Sequence, residues 1–433
     1  MHVSSSGARP ERTCSPVMSE AARPAAAKPF RIGLLGHGTV GGALAALVPE
    51  RADHIAAITG MRPEVTGIHT RSNGTSFEEV LEGCDLVAEL IGGLEPARTY
   101  VLQAMAAGKH VVTANKQLLA HHGEELWAAA REHGVQLRFE AAVAGVVPVI
   151  RVLQESLAGA HVDRITGIVN GTTNFILTRM AETGATYAEA LAEAQQLGYA
   201  EADPSDDVNG KDAAAKMAIL ARLAFGTPVH IDDVIYEGIE HLTGDDMAYA
   251  RDLGLGLKLI GTAERVDGGI SVSVHPAFLY GGHPLASVSG PFNAVTVESP
   301  AITEITMSGP GAGGPQTASA VLGDVISAMI PPASTPETTQ SLAIVHDVKR
   351  AFYMHLEVAD RPGVLAQVAQ VLGLQGASVK SVVQKGLGEN ARLVMVVHPL
   401  LESRMLAAVE LIAGLDFVRG RPRVIRVIEE QFQ

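Results

Sequence analysis

Phe30–Leu47, FRIGLLGHGTVGGALAAL, decides how the first third of this chain folds. Phe30–Leu35 is a short apolar run, which reads as a strand buried on both faces. Gly36, Gly38 and Gly41 then give G-x-G-x-x-G, and a helix over Val40–Leu47 follows. Strand, glycine turn and helix in this order form a dinucleotide fingerprint. Gly36 permits the tight turn, Gly38 lets the backbone approach a pyrophosphate, and Gly41 allows close helix packing. The helix N-terminus favours the anion. A plain tight turn is the competing reading. Context favours the cofactor, with His37, Thr39 and Val40 of the same turn as further contacts. Strands fit at Val65–Thr70, Leu86–Ile91, His110–Thr113 and Gln136–Glu140, and helices at Phe77–Leu81, Pro96–Ala107 and Gly123–His133. Strands alternating with helices imply a doubly wound parallel sheet.

Ligands of such sheets bind at the carboxyl ends of the strands. The second strand ends Gly67-Ile68-His69-Thr70-Arg71-Ser72, with no acid placed for the ribose hydroxyls of NAD. Arg71 suits the 2′-phosphate of NADP, or is a solvated loop arginine. NADP is preferred and NAD stays open. In Thr113-Ala114-Asn115-Lys116, Lys116 stands where a nicotinamide and a substrate could meet. A helix start is a poor place for a cation, which favours function over a plain surface lysine. Gly92, Thr113, Lys116 and Gly311 complete the candidate cofactor contacts.

From about Gly145 to residue 305 the pattern changes. Helices at 148–158, 186–197 and 210–225 mix with strands at Ile165–Val169, Ile270–Val274 and Ala294–Val297, as in an inserted α+β domain. Within it, AQQLGYAEADPSDDVNGKDAAAK (Ala194–Lys216) packs Glu201, Asp203, Asp206 and Asp207 close together. Asp212 and Lys216 then share a helix face with Ile219, Leu220 and Leu223, while Lys211, Ala218 and Arg222 lie on another. The charged pair sits on the stripe that should be buried, and buried charges are costly unless paired. The alternative is an exposed helix pair beside an acidic turn. Asn170-Gly171-Thr172-Thr173-Asn174 could bond a polar substrate or cap the helix Asn174–Met180. Glu140–Pro148, EAAVAGVVP, could offer carbonyls to a monovalent cation or form a hinge, and the hinge is the preferred reading of the residues.

Gly309–Gly314, GPGAGG, opens a helix Thr317–Met329 that returns to the first sheet, and Pro331, Pro332, Ser334 and Pro336 punctuate a linker. Residues 350–430 show the β-α-β-β-α-β order of a ferredoxin-like module. Its strands are Tyr353–Val358, Ala377–Gln384, Leu393–His398 and Val424–Ile428, and its helices Val364–Leu372 and Leu400–Ala413. The expected divisions are a disordered tail (1–28), a cofactor domain (29–144 plus 307–340), a substrate and dimerisation domain (145–306) and the C-terminal module (350–430). Met18 is an alternative start. The 433 residues, 47% hydrophobic, suffice for such cores. The net charge of −14 argues against a nucleic-acid partner. No run of 18 apolar residues suggests a membrane span. Two cysteines, Cys14 and Cys84, fit a reducing cytosol, hence a cytoplasmic protein. No zinc-ligand spacing, nucleophile elbow or Walker loop is present.

These motifs resemble the homoserine dehydrogenase family. The resemblance rests on GHGTVGG, ELIGGLEPAR (89–98), TANKQLLA (113–120), NGTTNFIL (170–177), GPGAGG…TASAVLGD (309–324), and Gly-Tyr, Asp-Pro, Asp207, Gly210, Asp212 and Lys216 in order. It spans 31 to about 340. Asp360-Arg361-Pro362-Gly363-Val364-Leu365 resembles an ACT domain, an amino-acid-sensing module. The resemblance implies reversible conversion of L-homoserine to L-aspartate 4-semialdehyde, on the route to threonine, methionine and isoleucine. It implies Lys216 as acid/base with Lys116 as partner. Glu201 would bind substrate, supported by Asp207 and Asp212, with Asn170, Gly171 and Thr172 beside them. Glu140, Val143, Gly145 and Val147 become candidates for sodium or potassium; Val146 departs from the usual Gly-Gly-Ile/Leu-Pro pattern. Threonine at Gly363, Val364 and Leu365, and a homodimer or homotetramer, are further expectations; a ligand-free dimerisation module is the alternative for the tail.

The residues agree chemically. Carboxylates such as Glu201 can hold the substrate ammonium. A lysine can donate to the reacting oxygen as hydride arrives, burial or a second lysine lowering its pKa while Asp212 opposes that shift. Positive charge also stabilises a developing alkoxide. Another dehydrogenase, or a non-catalytic sensor, are the rival readings; Lys116 and Lys216 count against the sensor. Lys216 and Glu201 are expected to face the nicotinamide across a cleft from Lys116.

Overall fold

The computed structural model describes residues 27–72, 74–330, 340–385 and 391–428. The expected tail up to residue 26, with Cys14 and Met18, and the linker Pro331–Pro336 lie outside the described residues. Lys28, placed in the tail by the sequence, already opens the first strand.

The first sheet is built from β1 (Lys28–Leu35), α1 (Thr39–Thr59), β2 (Met61–His69), α2 (Phe77–Glu82), β3 (Leu86–Glu89), α3 (Ala97–Ala106), β4 (His110–Thr113), α4 (Lys116–Glu132) and β5 (Leu137–Arg138). Its order is β2-β1-β3-β4-β5, all parallel. The strand order reverses between β1 and β3, which opens a crevice at their carboxyl ends. Ile32, Leu34 and Leu35 of β1 are fully buried, as a strand covered on both faces requires. Several bounds differ from expectation: α4, for one, starts at Lys116 rather than Gly123, capped by Asn115. The first helix runs past Leu47 to Thr59, because Leu44, Val48, Ala52 and Ile55 carry a buried stripe through Pro49. The fifth strand is shorter, because Glu140 turns into a short 3-10 helix, Glu140–Ala142.

The chain then forms α5 (Val149–Arg151), prolonged by a π turn Val152–Ser156, β6 (Arg164–Ile168), α6 (Gly171–Thr183), α7 (Tyr187–Gln196), α8 (Ser205–Val208) and α9 (Lys211–Phe225). After these come β7 (Ile235–Tyr236), α10 (Gly244–Asp252), β8 (Leu255–Val266), β9 (Gly269–Tyr280), β10 (Phe292–Ser299) and β11 (Thr303–Pro310). The next helix, α11 (Gly314–Ala328), returns to the first sheet. Its Ala318, Val321 and Val325 share a core with Leu34, Leu44 and Val48.

The C-terminal part contains β12 (Ala343–Ile344), β13 (Lys349–Val358), α12 (Val364–Leu374), β14 (Val379–Lys385), β15 (Ala391–Leu401), α13 (Glu402–Ala413) and β16 (Val418–Ile428). β15 runs on to Leu401, so the helix after it starts at Glu402, not Leu400. The βαββαβ order holds, but its sheet does not stand apart. β16 pairs in parallel with β9, Arg426–Ile428 beside Ala277–Leu279. One mixed sheet of 11 strands results, in the order β11-β10-β6-β8-β9-β16-β13-β15-β14, with β7 and β12 also on β9. No described helix is long and apolar enough to cross a membrane.

Candidate active site

Two lysines from different parts of the chain meet on one carboxylate. The first, Lys116, opens α4 directly after β4, and Asn115 caps that helix by accepting the Leu118 amide at 3.0 Å. The second, Lys216, lies one turn beyond Asp212 on α9. Lys116 Nζ stands 3.0 Å from Asp212 Oδ1, and Lys216 Nζ donates to Asp212 Oδ2 at 2.7 Å and to the Val169 carbonyl at 2.7 Å. Asn170 Nδ2 bridges Asp207 Oδ1 at 2.7 Å and Asp212 Oδ2 at 2.8 Å. Its Oδ1 accepts the Thr173 amide, so capping and site-building are one residue's work. Asp212 is 4% exposed. The stripe reading of α9 therefore holds for Asp212, Ile219 and Leu220, but the opposite face is also covered: Arg222 is buried, pairs with Glu124 and lies over the Trp127 ring.

Burial alone would raise the Asp212 carboxyl, but Lys216 and Lys116 outweigh it and hold the group well below the usual carboxylate range. Asp207 shifts the other way, pushed up by burial and by the neighbouring Asp212 charge. The Asp212 charge raises Lys116 against the pull of burial. The expected lowering of a lysine by its neighbour is thus reversed here: the shared carboxylate dominates. Asp207 and Asp212 both gather here; Glu201 does not join the cluster. It stands exposed on the loop after α7, its carbonyl accepting Gln195 Nε2 at 3.1 Å. Thr172 Oγ1 ties that loop to α6 through the Tyr199 carbonyl at 2.7 Å, and Gly171 abuts Pro291, whose oxygen a Cβ would meet at 2.8 Å.

The glycine turn has the geometry that its spacing implies. Gly36 has φ +101, and a Cβ on Gly41 would meet the Gly36 oxygen at 2.2 Å, whereas Gly38 faces open space. His37 lies in the turn, and Thr39 and Val40 begin α1. A cleft of about 900 Å³ opens here, lined among others by His37, His69, Arg71, Leu90 and Tyr100. Arg71 is thus in the cleft wall, and Tyr100 stacks on Phe77 with centroids 4.2 Å apart. The loop with Gly311 closes on the same corner: Gly314 packs against Thr39, and a Cβ on Gly145 would meet the Gly311 oxygen at 2.5 Å.

Glu89, which the sequence reading passed over, organises the floor. It is fully buried at the carboxyl end of β3. Its Oε1 accepts the Ile91 and Gly92 amides at 2.8 and 3.1 Å, and Thr113 Oγ1 donates to Oε2 at 2.5 Å. Asn115 Nδ2 reaches the Gly93 carbonyl at 2.6 Å. The Thr113 hydroxyl and the Gly92 amide are therefore spent within the protein. A carboxylate closing the apolar strand LVAE was the available signal. In the segment Glu140–Pro148, the Glu140 carboxylate takes the Ile150 and Arg151 amides at 2.9 Å each. The Val147 carbonyl accepts the Val149 amide at 2.8 Å. Among the described residues no group of three His, Cys, Asp or Glu could hold a metal.

The comparisons with known proteins agree with this geometry. The family described as "Homoserine dehydrogenase" matches residues 148–326, and "Homoserine dehydrogenase, NAD binding domain" matches 36–140. A homoserine dehydrogenase of Corynebacterium glutamicum is 43% identical over 92% of this chain and 95% of its own. The crystal structure of one from Thiobacillus denitrificans is 40% identical, covers 93% of this chain and 99% of its own, and superposes with a TM-score of 0.89. A hyperthermophilic archaeal homoserine dehydrogenase in complex with NADPH is 30% identical, with a TM-score of 0.62. It covers 71% of this chain and 99% of its own.

Proposed function

The chain belongs to the homoserine dehydrogenase family, and from that premise we propose how its residues divide the work. It is an NAD(P)-dependent oxidoreductase that interconverts L-homoserine and L-aspartate 4-semialdehyde in amino-acid biosynthesis. The nicotinamide, when bound, supplies or accepts the hydride. The observation that carries the residue assignment is the pair Lys116 and Lys216 on the single carboxylate of Asp212. An ammonium has three donors. Lys216 uses two, on Asp212 and Val169, which leaves one for the substrate oxygen. We assign the proton transfer to Lys216: it protonates the aldehyde oxygen in one direction and takes the hydroxyl proton in the other. The positive charge of Lys116 stabilises the alkoxide that develops between them. Glu201, exposed on the loop after α7 and outside the cluster, keeps its assignment to the substrate ammonium, with Asn170, Gly171, Thr172 and Asp207 on the cluster side. Gly36–Gly41 would hold the dinucleotide and Arg71 would meet a 2′-phosphate, so NADP is the preferred cofactor; Gly92, Thr113 and Gly311 would border it.

The test is Lys216→Arg, which keeps charge and donors but cannot give up a proton at ordinary pH. Loss of turnover by about 10²-fold or more is expected, with NADPH binding and unfolding temperature unchanged. Near-normal turnover in that variant would transfer the role elsewhere, with Lys116→Arg as the companion measurement.

Sodium or potassium fits the segment Glu140–Pro148 only through carbonyls. Val143, Gly145 and Val147 would supply them, while Glu140, occupied by two amides, shapes the loop. The C-terminal βαββαβ part is proposed as an ACT domain with threonine at Gly363, Val364 and Leu365. Gly363 has φ +91 and precedes α12. The proposed domain divisions are 29–144 with 307–340, 145–306 and 350–430; the core that Ala318–Met329 share with Phe30–Ile55 supports the first, and the core from Phe352 to Phe417 supports the last. A homodimer or homotetramer through the C-terminal part is supported by β14 ending the sheet with Val382 40% exposed.

A further inference from the structure

The face of the second sheet away from α9 carries a row of hydroxyls. Thr166 of β6 stands opposite Thr262 of β8, and Thr262 opposite Ser273 of β9. The other face is apolar in the same strands, with Ile165, Ala263 and Val272 buried. A partly open cavity of about 140 Å³ lies over this row, bounded on the C-terminal side by Arg350 of β13 and Arg426 of β16. Four of the side chains lining it have a polar atom buried and unbonded: Thr166 Oγ1, Ser273 Oγ, His275 Nδ1 and Arg350 Nη2. Thr166, Ser273 and His275 are 1%, 5% and 6% exposed. The nearest carboxylate to His275 Nδ1, on Glu237, is 4.0 Å away. A buried donor left unpaired is costly, and four at one cavity mark a place built for something that bonds them.

All four atoms can donate, and the guanidinium nitrogen can only donate. The partner therefore offers an oxyanion. The charge balance restricts it further. Arg350 is paired with Glu264, Arg164 with Glu298, and Arg426 with both Glu237 and Glu402. Each lining guanidinium is already matched and the remaining lining cation, Lys349, is exposed and singly charged, so a multiply charged anion would still bring uncompensated charge against the buried hydroxyls. A zwitterion would not: its carboxylate meets the hydroxyls and Arg350, and its ammonium meets Glu264, which also lines the cavity. The volume far exceeds the ~10–15 Å³ that admits one water, and it falls short of the roughly 300–1,000 Å³ of a drug-sized pocket. We propose that this seam between the catalytic sheet and the C-terminal part binds a free amino acid with a small side chain. The site is separate from Gly363–Leu365 and needs nothing from the catalytic assignment. Its ligand bridges β6, β8 and β9 to β13 and β16. On the opposite face of the same strands Met217 of α9 packs on Gly261, where a Cβ would meet its Sδ at 2.6 Å.

The experiment is thermal unfolding and calorimetry of the full chain with L-amino acids up to methionine in size, acetate and inorganic phosphate. At least one amino acid is expected to raise the unfolding temperature by about 2 °C or more at saturation, with a smaller effect of acetate and none of phosphate. Thr166→Val combined with Ser273→Ala should abolish that shift while leaving turnover without effector unchanged. If the double variant does not fold, Thr166→Val alone carries the same comparison. No shift with any probe would mean that the cavity holds water only and overturns the proposal. So would a phosphate effect exceeding that of every amino acid, or variants in which every amino-acid shift survives; threonine, assigned also to Gly363–Leu365, is left out of this comparison.

Discussion

At Asp212 the two lysines of the proposed machinery become one electrostatic unit. Its carboxylate, 4% exposed, faces Lys116 and Lys216 at 3.0 and 2.7 Å. The sequence already hinted at this, because a charged pair on an apolar helix stripe needs a partner. Helix periodicity could not show that the partner would come from α4, about a hundred residues earlier; only the family resemblance set Lys116 beside Lys216. Arg71, by contrast, lies in the cleft wall, where it is proposed to meet a 2′-phosphate. Arg71→Ala should raise the KM for NADP by about 10-fold or more, the worth of a lost charged hydrogen bond, and leave that for NAD within about twofold. Steady-state kinetics with both cofactors checks it. Lys258 shows what a buried lysine does where burial outweighs the pull of the carboxylate near it, Glu182. Its ammonium donates to Asn174 Oδ1 at 3.0 Å and to the Val288 carbonyl, and burial pushes its pKa down to about 8. In the unfolded chain it titrates near ~10.4. Between those values the unfolded state binds more protons, so stability rises with pH. Wild type should therefore gain up to about 3 kcal/mol relative to Lys258→Met between pH 8 and 10.4, read by denaturant unfolding. A parallel pH dependence in both proteins would refute it.

At the scale of elements, the strand–helix alternation of the first sheet was legible because burial on both faces writes continuous apolar runs. The errors fell where side chains outrank periodicity. β5 ends at Arg138 because the Glu140 carboxylate captures two amides of the next helix, and α1 passes Pro49 because its buried stripe continues. Glu89 escaped notice for a related reason. In the sequence it is one acid after an apolar strand, and its role exists only where β3, β4 and α4 converge. It joins the loop Ile91–Gly93 to Thr113, and through Asn115 to the start of α4. It thus sets the position of Lys116 without reaching it. Glu89→Gln keeps the shape but supplies only one carbonyl acceptor. The expected result is a KM for the nicotinamide cofactor raised on the order of 10-fold, the usual cost of disturbing an orienting shell. Its kcat should fall less, and Lys216→Arg should show the reverse split. An unchanged KM would make Glu89 a purely structural acid.

For the whole molecule, the ferredoxin-like order of 350–430 could be read from strand and helix spacing, but its fusion to the catalytic sheet could not. Pairing across sheet edges leaves no periodic trace. The structure shows the bond: β16 lies along β9, and Arg426 links Glu237 to Glu402. Arg423 ties the same strand to Asp246 and the His241 carbonyl. A chain ending before β12 would therefore expose the edge of β9 at Ala277–Leu279, where Ala277, Phe278 and Leu279 are now buried. It would also strand Asp246, 1% exposed in its side chain, without the Arg423 guanidinium. The lysine pair and glycine turn lie in other elements and should survive. Truncation is expected to lower the unfolding temperature on the order of 5–10 °C and to promote association through the bared edge, while turnover per folded molecule stays within about threefold, because a packing loss does not move the reacting groups. Any response of the full chain to threonine should vanish with the segment. Equal unfolding temperatures for the two chains would mean that the shared sheet contributes nothing to holding the catalytic strands, and a retained threonine response would move the effector site off the C-terminal part.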